Sequence, residues 1–316
     1  MLQVLVGTAT RWLNDLQRSW HRSRPSRSAA ATSVPVTYGP LERVLLTDGV
    51  GRTLFEEFAG HRSEARGDEE TGWVLLGLRE ANEAVVLATL PAGAQRDASI
   101  AHVRFNSNAQ ALGSRIIRQT DRRLTILGVV HTHPGSLRHP SDGDLRGDGQ
   151  WVVNLRGKEG VFGIGTADGA EAAGALFAYQ PRPHVQCLDG LRFSWYSLRQ
   201  GEAAYRPLPV ELTIGPDLAR PLHAIWTTLE FHAERIDRLY RQQTRMRFEV
   251  VSDKWGTGLL LTLPLAEPGD AIQVLVRPKE VRYYLIRRGE LLEVQHHDDC
   301  VDRGVYLLLA ELAARA

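Results

Sequence analysis

The chain has 316 residues, of which 43% are apolar and 24% charged, close to globular averages, so a mostly disordered, collagenous or coiled-coil protein is excluded. Lys plus Arg (38) nearly balances Asp plus Glu (37), and a net charge of +1 gives no footing for nucleic acid as the main partner. Two cysteines, Cys187 and Cys300, are too few and too far apart for a disulfide framework or a Cys-rich zinc module, and no apolar run approaches the ~18 residues that span a bilayer, so a reducing, cytoplasmic setting is expected.

Residues 1–40 carry five arginines against one acid and end in a Ser-, Ala- and Arg-rich stretch, the composition of a basic flexible arm. An acid-poor, Arg- and Ser-rich leader is also the make-up of an organelle transit segment, and a basic amphipathic piece also suits anionic lipid or an acidic partner. From residue 41 the patterns sharpen. Val44-Leu45-Leu46 reads as a strand, and Leu54, Phe55 and Phe58 share one face of a helix over 49–65. Two apolar runs, 71–78 and 83–88, flank Arg79-Glu80-Ala81-Asn82 and predict a hairpin. Ala109, Leu112, Ile116 and Ile117 predict a helix over 106–119 capped by Asn106 or Ser107. Residues 124–130 form a buried strand that ends at His131, and further strands are expected at 161–164 and 175–179.

Pro181, Pro183, Pro207, Pro209 and Pro216 then predict irregular or extended connections, and a domain boundary is placed near Gln180. Beyond it, Leu218, Leu222, Ile225, Leu229, His232, Ile236 and Leu239 recur at steps of three or four, predicting one long helix over 217–243. Strands at 247–251, 258–263, 272–276 and 281–286 and a closing helix at 301–313 make residues 181–316 a second, α+β domain.

The stretch that carries chemistry runs from His131 to Asp144. At the end of a strand, where side chains alternate with period two, His131 and His133 project to one side and can share a metal ion, while Thr132 faces away. Asp144 follows a turn containing Gly135 and Pro140 that can bring its carboxylate back to close a His-His-Asp face. Three protein ligands leave a fourth position for water, the layout of a catalytic rather than a structural zinc site. Such a site needs a base that is not itself a ligand, and the chain has no helical HExxH. Glu70, opening the first hairpin strand, is the candidate; Glu69, Asp68 and Glu64 lie beside it, and the following Thr-Gly-x-x-Leu-Leu-Gly run singles out Glu70.

Glu70, His131-Thr132-His133-Pro134 and Ser141-Asp142-Gly143-Asp144 together resemble the signature of the JAMM (MPN-plus, or JAB) zinc metallopeptidases, over about residues 41–180. The resemblance implies a mixed α/β (α+β) fold, a sheet flanked by helices. It implies one Zn2+ bound by His131, His133 and Asp144, water activation by Glu70, and an oxyanion hydrogen bond from Ser141. It further implies an isopeptidase or peptidase that cuts after the C-terminal glycine of a ubiquitin-like protein. The wording resembles prokaryotic, deubiquitinase-like members that accompany ubiquitin-like conjugation, so the ubiquitin-like protein or its conjugates, and the activating and conjugating enzymes of that pathway, are the expected partners. Residues 181–316 would then recognise substrate or partner. A zinc hydrolase of the same fold acting on a small or non-ubiquitin substrate, and a non-catalytic scaffold for a ubiquitin-like protein, are the alternatives.

Around this core, Asp142 and Asp148 compete with Asp144 as ligands; spacing favours Asp144 and leaves Asp142 as a cap for the next helix. His139 reads as a solvated loop histidine. Trp73 stands where the family often carries a small residue, a departure that bears on the width of the substrate channel. Gly163 to Gly169 lacks the third glycine and following helix of a dinucleotide loop and reads as strand and turn. His296-His297-Asp298-Asp299-Cys300 is rich in ligand types, but adjacent residues cannot all face one ion, so a surface turn is expected.

Overall fold

In the computed structural model, residues 37–94, 97–98, 103–167, 178–295 and 299–314 are described. Most of the basic arm, the first residues of the strand expected at 175–179, the end of the Gly163–Gly169 stretch, and His296, His297 and Asp298 lie outside them. The first sheet is built from β1 (Arg43–Thr47), β2 (Gly72–Arg79), β3 (Glu83–Pro91), β6 (Thr125–Thr132), β7 (Glu159–Thr166), β8 (Tyr179–Arg182), β9 (Val185–Leu188), β10 (Leu191–Arg199), β11 (Arg206–Pro207) and β12 (Val210–Thr213), in the order β12-β1-β3-β2-β6-β7-β10-β9-β8 with β11 beside β10. Among the described residues, the two-residue strands β4 (Asp97–Ala98) and β5 (Val103–Arg104) pair with each other and not with either larger sheet. Among these pairings β1–β12, β1–β3 and β6–β7 are parallel and the rest antiparallel, so the sheet is mixed. A second, antiparallel sheet follows in simple order: β13 (Arg247–Asp253), β14 (Gly256–Pro264), β15 (Ala271–Arg277), β16 (Glu280–Arg287) and β17 (Glu290–Val294). The class is the expected mixed α+β, with a sheet flanked by helices and a C-terminal sheet.

Alternation along the strands divides the core in two. Trp73, Leu75, Val130, Val161, Phe193 and Trp195 face one way, onto helix α1 (Asp48–Arg62) through Leu54, Phe55 and Phe58. Val74, Leu76, Val129, Phe162 and Leu198 face the other, onto α2 (Ser107–Arg118), α3 (Asp142–Trp151) and α4 (Trp226–Gln242). That second cluster continues without a break into Leu259, Leu261, Ile272, Val274 and Tyr283 of the C-terminal sheet and Val301 and Val305 of α5 (Val301–Ala314). Gly113 makes the join possible. A Cβ there would come within 2.9 Å of the Trp226 ring, so only glycine lets α2 approach α4 this closely.

The boundary expected near Gln180 does not coincide with a change of sheet. The proline-rich stretch after it supplies β8 to β12, which complete the first sheet, and β12 pairs with β1 from the opposite edge. Proline punctuates this stretch without preventing pairing, because an edge strand tolerates a missing N–H. The long helix expected over 217–243 is a short turn, Arg220–His223, and then α4; the backbone leaves helical geometry at Ile225 (φ −119°). Strand β17 was not foreseen. Among the described residues, no helix is long and apolar enough to cross a membrane.

Candidate metal centre

β2 and β6 lie side by side, and Gly72 pairs with His131. A Cβ at position 72 would sit 2.5 Å from the Val130 carbonyl oxygen and 3.2 Å from the Cα and Cβ of His131, so glycine is required for this approach. The pairing continues past the strand end, with Thr132 N–H donating to the Thr71 carbonyl at 2.9 Å and Thr71 N–H donating to Thr132 Oγ1 at 3.0 Å. Thr132 thus spends its side chain on local bonding, as its alternation predicts. Glu70, two positions before Gly72, belongs to the His131 side of the strand and is 5% exposed. The neighbouring acids differ from it. Asp68 is exposed beside Arg62, and Glu69 bonds Arg66.

His131 and His133 are buried, with their Nε2 atoms 3.1 Å apart. Asp144 Oδ1 is 3.2 Å from His131 Nε2 and Oδ2 is 3.5 Å from His133 Nε2, so one donor atom from each of the three residues falls within 4.8 Å of the others. His133 Nδ1 lies 2.8 Å from the Leu137 carbonyl oxygen. A carbonyl only accepts, so Nδ1–H donates to it and Nε2 is the nitrogen turned toward the cluster, the orientation a metal ligand requires. Two imidazole nitrogens and a carboxylate oxygen converging in this way are a donor set that fits zinc.

Asp144 is placed by the start of α3. Ser141 is the N-cap: its Oγ accepts from Asp144 N–H at 3.2 Å and donates to Asp144 Oδ2 at 2.7 Å, while its own N–H donates to the same oxygen at 2.6 Å. Asp142, expected as the cap, is instead an exposed residue of the first helical turn. Burial opposes ionisation of Asp144, but hydrogen bonds to His131 and His133 outweigh it and hold the carboxyl well below the usual range. Burial likewise disfavours a charged His131. The hydrogen bond to Asp144 and the charges of Asp144, Glu70 and Asp148 outweigh that and raise it.

Three further residues join this centre: Asp148, weighed above as a competing ligand, and Tyr205 and Tyr196, which no sequence pattern pointed to. Asp148, one helical turn past Asp144, accepts a 2.7 Å hydrogen bond from the Tyr205 hydroxyl, and burial pushes its carboxyl up to about 6. Tyr205 packs edge-on against Phe162 and Tyr196. The Tyr196 hydroxyl donates to the Arg138 carbonyl at 3.0 Å, tethering the loop between His133 and Ser141. Only the four-residue step from Asp144 to Asp148 was readable in advance. His139 is exposed in this loop, as expected. Trp73 departs from expectation: it is 2% exposed on the opposite face, against Phe193, with its Nε1 donating to Glu57 at 2.7 Å, so it does not narrow the His131 side. Cys187 is buried and Cys300 half-buried, and neither forms a disulfide among the described residues.

Residues 52–182 match the family model described as prokaryotic homologs of the JAB domain, a family in which zinc binding and metalloisopeptidase activity are common. The solution structure of protein DSY2949 from Desulfitobacterium hafniense is similar to this chain at 15% identity, over 55% of this chain and 95% of that one, with a TM-score of 0.37. No curated protein matches. The Glu70, His131, His133, Ser141 and Asp144 pattern lies inside the matched segment, so it is residues 52–182 that match a JAB (MPN) domain.

Proposed function

We propose that this protein is a zinc-dependent isopeptidase or peptidase that cleaves after the C-terminal glycine of a ubiquitin-like protein. The observation that carries the reading is the convergence of His131, His133 and Asp144 at a strand end whose partner strand brings buried Glu70 to the same side. His131, His133 and Asp144 would hold the zinc, which when bound acts as a Lewis acid and lowers the pKa of water to about 7. Glu70 takes the proton from the attacking water and delivers it to the leaving amine, the work of a general base that then acts as acid. Ser141 orients Asp144 and, by turning its hydroxyl, donates to the developing oxyanion. Burial of the cluster limits competing water and strengthens each of these interactions. The C-terminal sheet serves recognition of the substrate or of the activating and conjugating enzymes, and two cysteines too few for a disulfide framework suit a reducing cytoplasm.

The test is metal content measured together with cleavage of a ubiquitin-like protein fused through its terminal glycine to a reporter, with and without chelator. One zinc per chain with chelator-sensitive cleavage is expected. Zinc with cleavage of short amides alone would move the reading to a small-substrate hydrolase. Absence of zinc would leave a binding scaffold.

A further inference from the structure

Arg182 and Arg192 lie to one side of the metal centre, on the same face of the sheet, four and two strands from β6. The register runs from His131 to Ile164, Ser194, Val185 and Arg182 across five adjacent strands, and laterally paired side chains share a face. Arg192, two residues before Ser194, is on that face as well and pairs with Thr166, one position beyond the Thr132–Gly165 pair and so level with His133. Two strand spacings of about 4.8 Å put Arg192 ~10 Å from β6.

The two guanidinium groups have the same charge, and among the described residues neither forms an ion pair with a carboxylate. Arg192 Nε is buried with no hydrogen-bond acceptor. Leaving such a donor unpaired costs free energy that a bound acceptor would recover. Burial and then the charges of both arginines disfavour protonation of His184, whose ring packs 5.9 Å from Tyr196. Tyr196 in turn holds the Arg138 carbonyl, so the cationic pair is coupled through one side chain to the loop that follows His133.

We propose that Arg182 and Arg192 form a carboxylate-recognition subsite that grips an acidic side chain of the peptide substrate about three residues from the scissile amide, since an extended chain advances ~3.3 Å per residue. A guanidinium fork binds a carboxylate through two parallel N–H···O bonds, which selects it over neutral groups. The position relative to the scissile bond rests on the peptidase reading; the affinity for carboxylate does not.

The full-length chain, held metal-free and labelled with nitrogen-15 in its arginines, is titrated with an extended glycine-rich peptide carrying one glutamate and with its glutamine twin. The Arg192 Nε–H resonance is expected to shift with the glutamate peptide at least about fivefold more than with the twin. His131→Ala keeps this difference, and Arg182→Gln weakens binding by about tenfold, a loss of the size expected for one charged hydrogen-bonded contact. Arg182 is exposed, so its variant still reports if Arg192→Gln fails to fold. Equal shifts with both peptides would overturn the proposal. So would the absence of any shift. An equal response to inorganic phosphate would also overturn it, by marking a generic anion site. With the zinc-loaded enzyme, glutamate substrates should exceed glutamine substrates in kcat/KM by about tenfold, and Arg182→Gln should erase that ratio. Absence of all cleavage with the resonance difference intact would sink the peptidase reading and leave the subsite standing.

Discussion

The Ser141 hydroxyl donates to Asp144 Oδ2 at 2.7 Å while the Asp144 N–H donates back to Ser141 Oγ, so one serine both starts helix α3 and orients the carboxylate between two histidines. Ser141→Ala removes both bonds. Loss of the cap should cost about 1 kcal/mol of stability, and loss of orientation about 10- to 100-fold in zinc affinity. Thermal unfolding and competition with a chromophoric chelator measure the two. Unchanged zinc affinity would deny Ser141 its hold on Asp144.

Glu70→Gln keeps the shape of the side chain and removes its basicity. Zinc stoichiometry should stay at the wild-type level while kcat falls roughly 100- to 10,000-fold, the range that a general base contributes. His131→Ala should lose both. A Glu70→Gln variant with full turnover would remove Glu70 from the mechanism.

Gly72→Ala forces a methyl group toward the Val130 carbonyl and the backbone of His131. The cost expected of an overpacked site is roughly 1–3 kcal/mol, with weaker zinc binding because β2 must move away from β6. Gly135→Ala, whose Cβ meets nothing within 4 Å, is the matched control and should change stability by less than about 0.5 kcal/mol. Urea denaturation of the two variants separates a clash from a general effect of losing glycine.

Behind the sheet, His223 Nδ1 lies 2.5 Å from Glu57 Oε1 and Nε2 lies 2.6 Å from the Thr89 carbonyl, contacts that call for a proton on both nitrogens. Burial depresses the imidazolium, but Glu57, with Asp217 and Thr89, outweighs it and holds His223 above its ordinary value. Glu57 is correspondingly lowered, its burial offset by His223, Trp73 and Arg220. A raised folded value means that His223 contributes fully below about pH 6.5 and loses its contribution as pH rises through the folded value. The Glu57 contribution is present above about pH 4.3 and fades as pH falls. His223→Gln should therefore flatten the decline of stability above about pH 6.5, as followed by urea unfolding across that range. An unaltered slope would show that another group governs it.

By itself, the sequence determined what depends on neighbours along the chain. Period-two alternation placed His131 and His133 on one side, the apolar steps of α1 and α2 and the Asn106 cap marked those helices, and the spacing to Ser141 and Asp144 identified the ligand candidates. Tertiary structure alone decided what depends on residues brought together from afar. It set the order of the first sheet, with β12 beside β1, the close approach of Gly113 to Trp226, and the separation of Trp73 from the metal side. It also placed Tyr205 against Asp148, His223 against Glu57, and Arg182 in line with His131. The physical reason is that rotamer, cap and strand preferences act over a few residues, whereas strand order and buried polar pairing are settled only when distant segments compete for the same apolar surface.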